Sequence, residues 1–405
     1  MKAPLRASRC GERRLAPVRS NLVPPMAVLP LALFSLLFHA YVGWRLVPAL
    51  SGPPWVAASL VLLLVISALL MPFGLLARRL RDRRRADQVA WAALVLMGFF
   101  SSLFVLTLMR DVLLLLTWLV LLAVPGGFAL QALASSTALA VPVLAVIATV
   151  WGFANARRAA TVVSVEVPIA GLPAALHGFT IAQISDIHLG PTIKGDTLQA
   201  IVAAVNQLGA DLVAVTGDLV DGTVADLGSH VAPLRALVSR HGTFFVTGNH
   251  EYYSGAAAWV AELRRLGVQV LMNEHVVLRH GTAALVLGGV TDFNAQHYDP
   301  AQRSDPAAAL AGAPASAGAR VLLAHQPRSA DAAERAGFQL QLSGHTHGGQ
   351  FLPWNLFVRL QQPFTAGLHR LRSLWVYTSR GTGYWGPPKR LGAPSEITRL
   401  RLVPA

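Results

Sequence analysis

Cysteine is almost missing from the 405-residue chain: there is one, Cys10. A single thiol excludes any disulfide within the chain and any zinc site built on several thiolates. Charge is scarce too. Only 13% of residues are Asp, Glu, Lys or Arg, against 54% hydrophobic. That balance is too apolar for an ordinary soluble chain and requires membrane spans. Acidic residues are the scarcer sign: residues 1–150 hold 4 of them against 14 basic ones. Histidine is nearly absent there as well. His39 stands alone before residue 160, and the other 12 follow it. The basic excess is chiefly a topology signal, because Lys and Arg gather on the cytoplasmic side of spans. From residue 151 on, 20 basic residues face 16 acidic ones. No basic stripe is concentrated there, so nucleic acid is not an expected partner.

The first 25 residues, with Arg6, Arg9, Arg13, Arg14 and Arg19, lack a cleavable-signal layout and read as a basic, disordered tail. Apolar stretches then run over about 26–44, 55–77, 89–109, 112–128 and 137–154. Each is near the roughly 17–25 residues a helix needs to cross the hydrocarbon. Trp44, Trp55, Trp91 and Trp151 sit near their ends, as interfacial anchors do. Arg110-Asp111 divides the third stretch from the fourth and reads as a tight turn at an interface. Residues 26–155 are thus a transmembrane region of four or five helices, depending on whether 112–128 crosses. The arginines of 1–19 and of 78–85 lie two spans apart and share the cytoplasmic side. Five spans put the remainder outside the cytoplasm and four put it inside. Arg157-Arg158 points inside, but the leucine-rich 112–128 favours five, and with it an external domain. With so few ionisable groups in the spans, anchoring or substrate presentation is expected rather than transport.

From residue 160 to the end, strands alternate with helices, the pattern of a layered α/β domain. Strands are expected at 162–167, 180–184, 211–216, 243–247, 268–271, 276–279, 284–288, 320–324, 338–342, 374–378 and 397–402. Helices are expected at 196–208 (capped by Asp196), 226–239, 256–266 and 329–336. The Ala/Gly/Pro/Ser-rich 307–319 reads as a surface loop.

Five apolar strands end in metal-type ligands: Asp186/His188, Asp218, Asn249/His250, His325 and His345/His347. In extended backbone, i and i+2 share a face, so Asp186 and His188 can close on one ion. Ligands of layered α/β folds bind outside the carboxyl ends of strands. Any one of these pairs could be a turn or a surface histidine; five in strand order make a metal site. His177, His230, His241, His275, His280, His297 and His369 lack that context and read as structural or solvent-exposed.

The ordered set Asp186-x-His188, Gly217-Asp218, Gly248-Asn249-His250-Glu251, His325 and Gly344-His345-x-His347 resembles the calcineurin-like metallophosphoesterases. Gly344-His-Thr-His-Gly-Gly-Gln350 and Tyr377-Thr-Ser-Arg-Gly-Thr-Gly383 resemble one branch, with membrane-anchored members. The resemblance covers 160–405 and implies a four-layer α/β/β/α sandwich with two divalent ions, of Mn, Fe, Zn or Co type. It implies Asp186, His188, Asp218 and His347 on one ion and Asp218, Asn249, His325 and His345 on the other. It makes Asp218 the bridge and turns His250 to the substrate, oriented by Glu251. Asp221 reads as structural or outside the ligand set. The implied reaction is hydrolysis of a phosphodiester, phosphomonoester or pyrophosphate by a metal-bridged hydroxide. Related enzymes act on nucleotides, phosphodiesters and UDP-diacylglucosamine. Phe351, Trp354, Phe357 and Phe364 read as a buried strand-and-loop segment or as an apolar wall for an acyl chain; with the anchor, the second reading points to a lipid-linked substrate and to membrane lipids as partners. No obligate protein partner is implied. A scaffold or sensor with an inactive domain, and a protein phosphatase, are the competing readings.

Overall fold

The computed structural model describes residues 25–77, 80, 82–124 and 130–405. Apart from Pro25, the expected basic tail with Cys10 falls outside the described residues, as do Arg78, Arg79 and Arg81. Four helices open the chain: α1 (Pro25–Leu46), α2 (Pro54–Leu76), α3 (Arg83–Ala123) and α4 (Leu130–Ala156). All four are long and apolar enough to cross a membrane.

The expected stretches 89–109 and 112–128 are not two spans. α3 runs unbroken through Arg110 and Asp111, so no turn lies there. Their partners come from other helices. Arg110 Nε donates to Thr137 Oγ1 at 3.1 Å, and its Nη2 to the Ala134 carbonyl at 2.9 Å. Asp111 accepts from Arg45 Nε at 2.8 Å and from the Tyr41 hydroxyl at 2.5 Å. Charges inside an apolar bundle persist when paired in this way. The count among the described residues is four, and the expectation of five falls.

At about 1.5 Å per residue, the 41 residues of α3 span about 62 Å, twice a hydrocarbon core of roughly 30 Å. The two halves differ accordingly. The second exposes apolar side chains such as Met109, Leu116 and Leu122. The first lies against the α/β part. Arg83 pairs with Asp226 at 2.6 Å, and Asp87 with Lys194 at 2.7 Å.

Two six-stranded sheets make the α/β part. The first has the order β1 (Thr161–Ile169), β12 (Glu396–Pro404), β2 (Thr180–Ile184), β3 (Leu212–Val215), β4 (Thr243–Phe245), β5 (Gln269–Val270). The second has the order β10 (Gly367–Leu371), β11 (Leu374–Thr378), β9 (Leu340–Ser343), β8 (Ala319–Leu323), β7 (Ala283–Gly289), β6 (Glu274–His280). Strands β2 to β5 are parallel, and Ile184 pairs with Val215 and Val215 with Phe245. In the other sheet Leu323 pairs with Leu342 and Leu342 with Tyr377. Parallel strands in register end level, so the segments after them share one edge.

Alternation along each strand sorts side chains into layers. Ile181, Leu212, Ala214 and Phe244 pack against Leu285, Leu287, Val321 and Leu342 between the sheets. Ile184, Val213, Val215 and Phe245 point the other way, to α5 (Gly195–Gln207), α6 (Val224–Val231) and α8 (Ala256–Arg265). Leu322, Phe338 and Val376 meet α9 (Pro306–Leu310) and α10 (Ala330–Ala336). The result is the α/β/β/α sandwich. Three local expectations change. The 307–319 loop begins inside α9, whose N-terminus Asp305 caps through the Ala307 and Ala308 amides. Asp196 lies in the first turn of α5, not at its cap. The expected helix over 226–239 ends at Val231, continuing as a tighter turn with Pro233 near its start.

Candidate metal centre

β2 ends at Ile184, two residues before the first candidate ligand. From there the backbone is not extended. Asp186 and His188 have φ of 53° and 54°, so the expected i, i+2 alternation does not operate. Left-handed turns bring the two side chains together instead. Asp218, His345 and His347 share the conformation, at φ 50°, 71° and 51°. Asp and His tolerate this region better than branched residues, at about 1 kcal/mol each, and only where the surroundings hold them. Two glycines allow the close approach. A Cβ on Gly344 would lie 2.1 Å from Asp186 Oδ2, and one on Gly217 would lie 2.8 Å from His325 Nδ1.

Two buried groups result, Asp186/His188/His347 and Asp218/His325/His345. In the first, His188 Nε2 is 3.1 Å from His347 Nε2, which is 3.6 Å from Asp186 Oδ1. In the second, His325 Nε2 is 3.2 Å from both His345 Nδ1 and Asp218 Oδ2. Asp218 Oδ2 also lies 3.8 Å from His188 Nε2, so this carboxylate faces both groups. Asn249 opens α7 (Asn249–Ser254) beside them. Its Nδ2 donates to the Tyr253 hydroxyl at 3.2 Å, while its buried Oδ1 has no hydrogen-bond partner. A buried carbonyl oxygen without a donor is costly, and a cation would satisfy it. Mixed imidazole, carboxylate and amide donors fit first-row divalent metals.

Outer partners turn the rings inward. His325 Nδ1 is 2.7 Å from the Thr216 carbonyl, and His188 Nδ1 is 3.2 Å from Asp221 Oδ1. Such contacts fix which nitrogen faces a metal. Of the two expectations for Asp221, structural or beside the ligands without being one, the contact to His188 favours the second. It also meets His250 Nδ1 at 2.5 Å, a hydrogen-bond distance too short for two ligands across an ion. His188, Asp221 and His250 form a hydrogen-bonded relay. Glu251 does not orient His250. Its carboxylate accepts from the Gly248, Asp218 and Leu219 amides at 2.7, 3.0 and 2.8 Å, tying two ligand loops together.

Burial alone would raise Asp218, but His325, His250 and His188 outweigh it and hold the carboxyl well below its usual range. Burial and then His325 push His345 down to about 3. Burial, His188 and Arg390 hold His347 well below the histidine range. Ionised carboxylates and neutral imidazoles are the forms that bind cations. Before a cation binds, burial pushes Asp186 up, and Asp218 outweighs burial to raise His325, so these two would have to give up protons to a cation. Burial opposes a charge on His250, yet Asp218 and Asp221 raise it to about 9.

The groups open into a cavity of about 580 Å³. His188, Asp218, Asn249, His250, His345 and His347 line it, while Asp186 and His325 lie fully buried beneath. Met97 and Ser101 of α3 line the opposite wall, with Phe351 and with Trp354 of α11 (Trp354–Phe357). None of the seven other histidines after residue 160 lines it. His230 and His275, for example, bond backbone groups elsewhere. The sequence reading missed Lys389 and Arg390. Their only signal is a basic pair after Pro387-Pro388 in a stretch with little other charge. The segment Tyr377–Gly383 underpins the site: Thr382 N donates to Ser185 O at 2.7 Å and Gly383 N to Asp186 O at 3.0 Å.

Two facing sheets with a histidine-rich cation site at their common edge define a metallophosphoesterase domain. Residues 179–349 match the family described as calcineurin-like phosphoesterase. Over 303 residues the chain is 42% identical to the Bos taurus protein called "transmembrane protein with metallophosphoesterase domain", covering 72% of this chain and 68% of that one. Over 277 residues it is 40% identical to the Danio rerio protein of the same name, covering 66% and 63%. The chain thus spans about two thirds of the length of these relatives. The chain belongs to the calcineurin-like phosphoesterase family, metal-dependent phosphoester hydrolases that generally use two divalent ions. Its four apolar helices and these relatives make it a membrane protein. Among solved structures it resembles a 5'-nucleotidase precursor from Thermus thermophilus, at TM-score 0.36 and 15% identity over 55% of this chain and 54% of that one.

Proposed function

We propose that the protein is a membrane-anchored phosphoesterase acting on a lipid-linked phosphodiester, phosphomonoester or pyrophosphate, such as a phospholipid or UDP-diacylglucosamine. Residues 26–155 are its membrane part and 160–405 its catalytic part. Asp186, His188, Asp218 and His347 would hold one divalent ion. Asp218, Asn249, His325 and His345 would hold the other, with Mn, Fe, Zn or Co as the fitting metals. The observation that carries the reading is the cavity itself. Candidate ligands form its floor, and Met97 and Ser101 of an apolar helix form part of its wall.

When bound, the two ions supply water activation and neutralisation of phosphoryl charge. The chain's own groups do the rest. Asp221 holds His250 by Nδ1, leaving Nε2 to keep a proton for the leaving oxygen. The rings of Tyr253 and Trp385 flank His250, with centroids 4.9 and 5.8 Å away. In the same segment as the lining residues Phe351, Trp354 and Val358, Leu352, Leu356, Phe357 and Leu360 are exposed. The Trp354 indole donates to Ser101 Oγ at 2.9 Å, joining this apolar segment to α3. An acyl chain fits such a wall and a soluble headgroup does not need it. Trp354→Ala is expected to lower hydrolysis of a vesicle-borne phosphodiester about tenfold, through about 1.4 kcal/mol of lost contact. Turnover of bis-p-nitrophenyl phosphate should change less than twofold. Equal losses on the two substrates would remove the lipid reading.

Four helices bring both ends of the helical region to one side. Arg83, Arg84 and Arg85 in the first turn of α3 and Arg157 and Arg158 after α4 flank that side, which supports a cytoplasmic catalytic part. With Cys10→Ser and Ala405→Cys, an impermeant maleimide is expected to label the chain only after cells are permeabilised. Labelling of intact cells would reverse the orientation.

A further inference from the structure

Lys389 and Arg390 are both about 1% exposed, yet neither belongs to the ligand set. Pro387 and Lys389 enter the cleft between α3 and α4. Two glycines on the facing helices make room: a Cβ on Gly152 would lie 2.6 Å from Lys389 Cγ, and one on Gly98 would lie 3.2 Å from Pro387 Cβ. Lys389 Nζ donates to the Gly98 carbonyl at 3.0 Å and to Ser102 Oγ. The Arg390 amide donates to the Gly152 carbonyl at 2.8 Å, and Asn155 Nδ2 donates to the Arg390 carbonyl at 3.3 Å. Among the described residues, no carboxylate pairs with Lys389. The ammonium lies 5.1 Å from the centroid of the Phe351 ring, but a buried ammonium without a carboxylate is a cost that a methionine of similar length would avoid.

The next side chain points at the metal centre. Arg390 Nη1 donates to the His347 carbonyl at 3.1 Å and to the Ala393 carbonyl at 3.0 Å. Its Nε donates to the Gly383 carbonyl at 3.1 Å, and its Nη2 to the Gly381 carbonyl at 3.3 Å. Gly383 in turn donates its amide to Asp186 O at 3.0 Å. Two adjacent residues therefore connect the α3/α4 pair to His347 and Asp186, two of the three members of one buried group.

We infer that Lys389 and Arg390 are positioning residues through which the α3/α4 helix pair sets the geometry of the ion held by Asp186, His188 and His347. The affinity of that ion then depends on helix packing, and the other ion, held by Asp218, Asn249, His325 and His345, feels it only through the shared Asp218. The inference rests on the ligand assignment proposed above.

Manganese binding is to be measured on the full-length protein in nanodiscs, by equilibrium dialysis and elemental analysis, beside thermal unfolding. Lys389→Met removes the ammonium and keeps the bulk. It is expected to weaken one of two ions about tenfold, the low end of the effect of losing a partner that orients a ligand. It should weaken the second ion less than threefold, through the shared Asp218, and raise the unfolding temperature. A merely structural lysine would move stability and ion binding in the same direction. Gly152→Ala, which pushes on Lys389 without altering it, should weaken the same ion to a similar degree. Excess manganese should restore activity in both variants with KM unchanged. Two ions bound as in the parent protein by both variants would overturn the inference and leave the ligand assignment standing. A parent protein that binds neither Mn, Fe, Zn nor Co would overturn both.

Discussion

Asp218→Asn is expected to lower kcat on the order of 10³-fold, a barrier increase of about 4 kcal/mol, and to cut bound metal from two ions per chain to one or none. The side chain is 2% exposed, and its Oδ2 faces His325 at 3.2 Å and His188 at 3.8 Å. Asparagine keeps the shape, and its oxygen can still accept from the His250 amide, which now meets Oδ1 at 2.9 Å. What disappears is a negative charge shared between two cation sites. The fold should survive, because Glu251 still ties down the Asp218 and Leu219 amides. Parallel turnover and elemental analysis check this. Two ions per chain with turnover within threefold of the parent would refute the bridging role. Absence of turnover in the parent with any of Mn, Fe, Zn or Co would favour the scaffold reading instead.

His250→Ala should lower kcat about 10³-fold on an alkyl phosphodiester, within the span of general acid catalysis. On bis-p-nitrophenyl phosphate the loss should be about tenfold, because p-nitrophenolate leaves without a proton. Metal content should not change. The reason is position: His250 lines the cavity, and its Nδ1 is engaged by Asp221 at 2.5 Å. Its protonated form is favoured by Asp218 and Asp221 in spite of burial. Asp221→Asn should show the same leaving-group dependence more weakly. Identical losses on the two substrates would exclude proton donation and leave His250 a binding role.

The strand ends and their order were readable because burial and alternation act locally. Ile181 and Ala182, or Val213 and Ala214, declare their faces without knowledge of the rest of the chain. The candidate ligands are readable for the same reason, since each follows its strand within a few residues. What could not be read depends on distant partners. Arg110 and Asp111 interrupt an apolar run, and only Arg45, Tyr41 and Thr137 turn that interruption into a continuous helix. Asp221 reads as lying just outside the ligand set, but its partners His188 and His250 are fixed only by the fold. Lys389 has no local signature, because its acceptors Gly98 and Ser102 lie some 290 residues earlier. The i, i+2 argument at Asp186 and His188 names a pair that the fold does bring together, but for a wrong geometric reason. Extended backbone was assumed where φ is positive.

That positive φ has a consequence for descent. At Asp186, His188, Asp218, His345 and His347 the chain holds side chains where backbone sterics favour glycine. Each such residue forgoes about 1 kcal/mol that glycine would restore, a trade of stability against activity. A lineage that lost the need for catalysis would drift downhill at these five positions first, towards glycine or asparagine, while the sandwich around them stayed intact. Decay of the enzyme would thus leave a more robust protein behind, with its erosion recorded at the strand ends rather than in the core.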